Sequence, residues 1–367
     1  MSRGRPGPAP PGGRARPAGC QGGPVRLDSA GHAGWSGRGY PERLPEADAW
    51  FVAPYALDGG RVPDAAADLM RRFPGALVDF SLDDSLAIDP FPYPGDLRGR
   101  IDAWARVAFE RDYEPPAFAA GRLALLLPFL PRTVRREYPL LPVSRRAPAV
   151  LFVGSLTGDT DPERNTRVRA ARLLAQSSVP FVGGVFANVD RPDLAVPADV
   201  RCPRYRRYSH LRRLSRVAYG LSLPGNNPLT YRFLECLAMG TLCLSPSLER
   251  FRWLAEDIRP GTHYVALAGD LSDLNERLAW YARHPAEADA IAAAGHRAFR
   301  DLFRYDGPAY NSGLLERFLA QFPALAGRRR PGPLPRLARG IVNGLGRRLE
   351  PLKEWEYAWK ERKLESL

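Results

Sequence analysis

Arg232 and Glu235 stand three residues apart in an otherwise apolar run, Thr230 to Met239. On a helix that spacing makes them neighbours, so two chemistries are open. They can form an intrahelical ion pair, or each can hold part of a ligand. A guanidinium fork suits a phosphate, and a carboxylate suits sugar hydroxyls. Two glycine-bearing turns offer related chemistry: Gly154-Ser155 and Pro224-Gly225 each end an apolar run and precede a helical one. Glycine lets backbone N–H groups approach a diphosphate, and a helix start adds a favourable partial charge. A tight packing turn is the plain alternative. Asp83 and Asp84 follow an apolar strand and offer a carboxylate that can take a proton from a hydroxyl; the alternative is a solvated acidic loop that caps a helix. Cys20, Cys202, Cys236 and Cys243 lack metal-ligand spacing, so no metal site is expected, and Cys236 and Cys243 read as small buried hydrophobes.

The elements that must position these residues read as alternating strands and helices. The central stretch, Leu221 to Pro246, predicts a strand at Leu221-Ser222-Leu223 and a turn at 224–228. A helix over Thr230–Met239 follows, stopped by Gly240, and then a buried strand at 241–245. Strand, turn, helix, strand is the unit of a parallel sheet, in which ligands bind beyond the strand C-termini. Upstream, the pattern predicts strands at 49–52 and 75–80 around a helix at 64–73, and irregular structure over 113–147. A strand at 149–153, a helix over 163–176 and a strand over 179–185 come next. Downstream it predicts a strand at 262–267 and helices over 273–283, 285–303 and 310–322.

Composition narrows the function classes. The chain has 367 residues, 45% of them hydrophobic, and a net charge of +13. That size and hydrophobic share suit two globular domains. The charge is concentrated at the ends: residues 1–45 hold seven arginines against two acids, and 327–367 hold eleven Lys/Arg against five. A basic groove in the folded body is therefore not required, and no nucleic-acid partner is expected. Residues 1–45, rich in Gly, Pro and Arg, read as a disordered tail. Residues 327–367 read as a basic, partly helical tail in which Trp355 and Trp359 lie among lysines. That pattern suits a peripheral membrane contact or docking on the protein's own surface. No apolar run is long enough to span a membrane, and a cytoplasmic setting, with contact at the inner face of the membrane, is expected.

Residues 148–322 resemble the C-terminal, donor-binding half of GT-B glycosyltransferases, nearest to the CAP10 and protein O-glucosyltransferase family (glycosyltransferase family 90). Exostosin-like and CgeB-like glycosyltransferases are similar more distantly. Three blocks carry the resemblance: Phe152 to Thr157; Thr230-Tyr231-Arg232-Phe233 through Gly240-Thr241-Leu242; and His263-Tyr264-Val265 with Asp270 to Leu274 and Ile291-Ala292 before Gly295. The resemblance implies an α/β fold of two Rossmann-like domains facing a cleft, the first one short. Residues 46–147 would be the acceptor side and 148–326 the nucleotide-sugar domain. It implies transfer of a sugar from a nucleotide-diphosphate donor, UDP-linked, to a hydroxyl of a glycan or lipid-linked acceptor, with inversion and without a metal or other cofactor. Gly154, Ser155, Pro224, Gly225, Thr230, Tyr231 and Arg232 would serve the diphosphate, Glu235 the ribose, and Asp83 or Asp84 the base. Two arginines of that family's phosphate clamp are Val153 and Leu156 here, and Arg164, Arg167 or Arg169 is expected to substitute. Only half of a broader paired-glutamate motif is present, because the position eight before Glu235 is Asn227.

Three further features have open readings. His263 reads as a structural histidine. His210 sits among arginines with no carboxylate near it in sequence, and the run Arg201–Arg216 is either a solvated face or a seat for an anionic acceptor. A catalytically silent, glycosyltransferase-like scaffold for envelope polysaccharide assembly is the rival to an enzyme.

Overall fold

A computed structural model describes residues 62, 64–80, 93–106, 108–125, 141–157, 159, 161–188, 194–225 and 228–303. It also describes short strands at 27–28, 49–52, 305–306 and 309–310, and residues 317, 320 and 321. Of the tail expected to be disordered over 1–45, only Leu27–Asp28 is described, and it is a strand paired in parallel with Ala49–Trp50. The basic-tail expectation, Asp83, Asp84 and Asn227 lie outside the described residues, as does most of the helix expected over 310–322. Within that last span Ala309–Tyr310 pairs instead with Tyr305–Asp306 as a small antiparallel ribbon.

Two five-stranded parallel sheets organise the chain, the α/β architecture expected from the sequence. The first contains β1 (Leu27–Asp28), β2 (Ala49–Val52), β3 (Ala76–Phe80), β4 (Ala103–Arg106) and β6 (Leu123–Leu125), side by side in that order. The helix α1 (Asp64–Arg72) precedes β3 and buries Ala66, Ala67, Leu69 and Met70; Asp64 opens it and Arg71 and Arg72 end it, each favourable toward the helix dipole. A short helix, α2 (Gly95–Arg98), precedes β4.

The second sheet contains β7 (Ala147–Ser155), β8 (Phe181–Phe186), β9 (Val217–Leu221), β10 (Leu242–Pro246) and β12 (Val265–Leu267), in the spatial order β8-β7-β9-β10-β12. Between them run α3 (Thr166–Ala175), α4 (Arg207–Leu214) and α5 (Tyr231–Ala238), with α6 (Leu274–Arg283) and α7 (Pro285–Phe303) after the last strand. Alternate residues of β7 serve opposite faces. Val150 and Phe152 pack with Val168 and Leu174 of α3, while Leu151 and Val153 pack with Leu211, Phe233 and Leu237. Both faces are therefore apolar, as expected for a central parallel strand.

The two sheets share one core. Val78, Ala103, Ala105 and Ala124 of the first sheet lie in the same apolar cluster as Leu151 and Val153 of the second and Phe299 and Phe303 of α7. Three of those four first-sheet residues are alanines, which lets the larger aromatics of the second half pack close. Leu77 and Trp104, on the opposite face, pack with Met70, Phe73 and Ile101. A second link is covalently remote: β5 (Ala108–Glu110) pairs antiparallel with β11 (Phe251–Trp253), matching Phe251 to Glu110.

Several expected boundaries shift. The central strand is Val217–Leu221 rather than Leu221-Ser222-Leu223; all five of its residues are buried, and the chain leaves the strand at Ser222, whose hydroxyl lies 3.1 Å from that of Thr230. The region 113–147 is not wholly irregular, since Leu123–Leu125 joins the first sheet beside β4. The helix expected from 163 starts at Thr166, because Asn165 caps it. Gly240 does end α5: its φ is 56°, Gly240 N donates to Leu237 O and Thr241 N to Cys236 O, the paired bonds of a Schellman stop.

Candidate functional site

In the order β8-β7-β9-β10-β12 the chain turns in opposite directions after β7 and after β9. The β7 crossover leads to α3 and β8, the β9 crossover to α5 and β10. The loops beyond these neighbouring strands must separate, which leaves a crevice at the carboxyl edge. A cavity of about 450 Å³ lies there. Its walls come from both diverging loops (Thr157; Pro224, Gly225), from Arg167 in the first turn of α3, from the end of β10 and the segment after it (Pro246, Ser247, Arg250) and from Gly269 beyond β12. The volume falls in the usual range for small-molecule sites.

Arg167 ties the two diverging loops together. One terminal nitrogen donates to Ser155 O at 2.7 Å and contacts Ser155 Oγ and Thr157 Oγ1; the other donates to Pro224 O at 3.4 Å. Gly154 makes room for it, since a Cβ there would meet the Phe152 ring at 3.1 Å and Arg167 Cδ at 3.3 Å. Gly154 and Ser155 are not the turn expected but the last residues of β7, paired with Val185 and Phe186, and the glycine there admits an arginine stem, a role the sequence reading did not assign to it.

Asn165 holds the first loop from beneath. Its side-chain oxygen accepts the amides of Arg167 and Val168, while its nitrogen donates to Thr157 O at 2.9 Å and Asp159 O at 2.7 Å. With 1% exposure it is fully inside and bonded at both ends. It was missed from sequence, although an asparagine just ahead of a helical run is a cap signal. At α5 the equivalent position, Thr230, makes no side-chain cap bond.

Arg232 and Glu235 form the ion pair that their spacing allowed. Arg232 Nη1 donates to Glu235 Oε2 at 2.6 Å, and Nη2 donates to Val153 O at 3.2 Å. Glu235 is 4% exposed. These two, with Thr230 and the half-exposed Tyr231, are not among the residues that line the cavity; nor are Gly154 and Ser155, which contact Arg167. Of the expected binding residues, Arg167, Pro224 and Gly225 line it. Arg164, an alternative to Arg167, is engaged with Asp159 at 3.3 Å and Asp161 at 3.2 Å.

The histidines divide. His263 Nδ1 accepts the amide of Arg259 at 2.9 Å, a structural use. His210 is brought against Glu235 by the packing of α4 on α5, a contact invisible in the sequence. Sequence reading also missed a buried group at the carboxyl edge of the first sheet. Asp79 pairs with Arg106 and accepts Tyr93 OH at 2.8 Å; both charged residues are 3% exposed or less. Among the described residues no three acidic, His or Cys side chains cluster to hold a metal, and no helix is long and apolar enough to cross a membrane.

Residues 180–309, β8 through the last described ribbon, match the family described as Glycosyl transferase-like. The chain is 30% identical over 195 residues to uncharacterized protein 027R of Frog virus 3 (isolate Goorha), covering 44% of this chain and 19% of that protein. It is 34% identical over 90 residues to O-glucosyltransferase LpsA of Dichelobacter nodosus, covering 24% and 28%. The chain thus spans less than a third of either curated relative. Among solved structures, HepE of Anabaena in complex with UDP and glucose has a TM-score of 0.49 at 11% identity, covering 75% of this chain and 78% of that one.

Proposed function

We propose that this chain is a glycosyltransferase that moves a sugar from a nucleotide-diphosphate donor, UDP-linked, to a hydroxyl of a glycan or lipid-linked acceptor. The observation that carries the reading is the cavity at the divergence of the β7 and β9 loops, whose walls at Pro224, Gly225, Pro246, Ser247, Arg250 and Gly269 lie within the segment 180–309 that matches a Glycosyl transferase-like family. Its walls are rich in loop backbone, with Gly225 and Gly269 admitting close approach and Arg167 bridging the two sides. LpsA, by name an O-glucosyltransferase, supports a hexose as the transferred group.

Transfer makes two demands. The bond from the sugar's anomeric carbon to the donor phosphate breaks, and the diphosphate leaves with the electron pair. The acceptor oxygen bonds to that carbon and surrenders its proton to a base. In this reading Arg167, Arg232, the end of β7 at Gly154-Ser155 and the turn at Pro224-Gly225 stabilise the leaving diphosphate. Glu235 serves the ribose, Thr230 and Tyr231 open the helix beside it, and Asp83 or Asp84 is the base of an inverting, metal-independent reaction. The tryptophan-bearing C-terminal sequence would bring the enzyme to a membrane-borne acceptor at the inner face.

The test is a thermal-shift series on the full chain with UDP, UDP-glucose and the other common nucleoside diphosphates. Stabilisation by one of them, lost in Arg167→Ala, together with slow donor hydrolysis, is the expected result. Donor binding without any hydrolysis or transfer would move the reading to a silent scaffold. No shift with any nucleoside diphosphate would remove it.

A further inference from the structure

Two cations stand among the described residues lining the cavity, Arg167 and Arg250. The fork of Arg167 is committed to Ser155, Thr157 and Pro224. Arg232, not among the lining residues, is committed to Glu235 and Val153. Arg250 differs. Its opposite charge is Glu110, with Arg250 Nη2 3.7 Å from Glu110 Oε1, and the two side chains are 73% and 42% exposed. A surface pair of that length contributes little, so giving it up costs little.

The backbone around Arg250 is, by contrast, firmly held. Its carbonyl accepts Arg111 N at 2.8 Å, the carbonyl of Glu249 accepts Arg111 Nε at 2.6 Å, and Phe251 begins the ribbon with β5. The guanidinium lies 4.6 Å from the centroid of the Phe251 ring, which supports its flat face. Asp159, the acid among the described lining residues, already faces Arg164. An anchored backbone, a supported guanidinium and a weakly bound fork at the mouth of a cavity suit an incoming anion.

We propose, resting on the donor reading above, that Arg250 binds the diphosphate of the nucleotide, leaving Glu110 to do so. The first half of the chain thereby supplies the placement of a donor ligand that belongs, in sequence, to the second half.

The experiment is calorimetric titration of the full chain with UDP, UMP and uridine, in the wild-type protein and in R250A, R250K and E110Q. R250A should weaken UDP binding by about fivefold or more while leaving uridine binding within about twofold, because a charge-assisted contact to phosphate is lost. R250K should recover part of the loss. E110Q, which breaks the same ribbon contact but keeps the cation, should bind UDP at least as tightly as the wild type. A smaller loss in R250A, a parallel loss for uridine, or weaker UDP binding by E110Q overturns the assignment while the donor reading stands. If the wild-type protein binds neither UDP nor any other nucleoside diphosphate, both fall.

Discussion

His210 Nε2 lies 3.7 Å from Glu235 Oε2, the same oxygen that accepts Arg232 at 2.6 Å. The imidazole is 3% exposed, and neither ring nitrogen has a hydrogen-bond partner. Burial pushes its pKa down from 6.5 to about 2, and the positive charges of Arg232 and Arg207 push the same way. The histidine is therefore neutral in the folded chain, and its contact with Glu235 is not an ion pair. A guanidinium and an imidazole converge on one carboxylate, and only the guanidinium is charged.

Acid should destabilise the fold through this histidine. Between the unfolded value near 6.5 and the folded value near 2, the unfolded chain binds a proton that the native chain does not. Stability then rises with pH across that window, is complete above it, and falls by up to about 1.4 kcal/mol per pH unit on acidification. His263 and His296 are depressed in the same direction and add to the trend. Urea unfolding of wild type and His210→Gln at pH 7, 6 and 5 should show a shallower pH slope in the variant. Equal slopes would mean that His210 takes up a proton in the native state.

The Asp79–Arg106 pair should be asymmetric in its mutational cost. Both side chains are buried, and Tyr93 OH also uses the aspartate. Removing one partner leaves the other charge inside without compensation, which costs about 3–5 kcal/mol. Arg106→Met or Asp79→Asn alone should therefore lower the urea midpoint sharply, and the Asp79→Asn/Arg106→Met double variant should recover part of that loss. Additive losses would count against a coupled pair.

Asn165 should be separable into its two halves. Asn165→Asp keeps the oxygen that caps α3 but replaces the donor to Thr157 O and Asp159 O with a second acceptor. Asn165→Ala loses both and should cost about 2 kcal/mol or more, a cap plus a buried loop tie. The aspartate variant should keep α3 while loosening residues 157–159, visible as faster amide exchange in that loop alone. Uniform exchange across α3 in both variants would contradict the division.

The three thiols buried among the described residues should be slow to react. Burial raises Cys202 to about 11 and Cys243 well above its ordinary value, and Cys236 lies beside Cys243 in the core. A thiolate is the reactive form, so at pH 8 these sites should be protected from an aromatic disulfide reagent until denaturant is added. Rapid native labelling of Cys236 or Cys243, mapped by mass spectrometry, would argue against the packing around β10, and that of Cys202 against its packing beside β8.

Much of the second sheet was legible because its strands and helices are long and apolar. β7, β10 and α7 announce themselves by composition, and Gly240 marks its helix end by chemistry alone. β4, β5, β6 and β11 did not, being three or four residues long, with alanines and arginines that carry no period. The site divided in the same way. Arg167, Pro224 and Gly225 follow apolar strands in sequence and could be named from it. Arg250, His210 and the Asp79–Arg106 pair owe their positions to pairings between distant segments, which no local pattern encodes, whereas Asn165 is a local cap that a helix start placed at 163 concealed.

The ribbon of β5 with β11 has a consequence for how this molecule can be cut and recombined. A fragment beginning at β7 would contain the whole family-matched segment, yet β11 would lose its partner strand and Trp253 and Phe251 their cover. Such a piece would tend to stick to itself through that edge. Grafting a foreign first half onto residues 147–303 would also move the segment carrying Arg250, and with it one wall of the cavity, although every residue of the recipient half stayed the same.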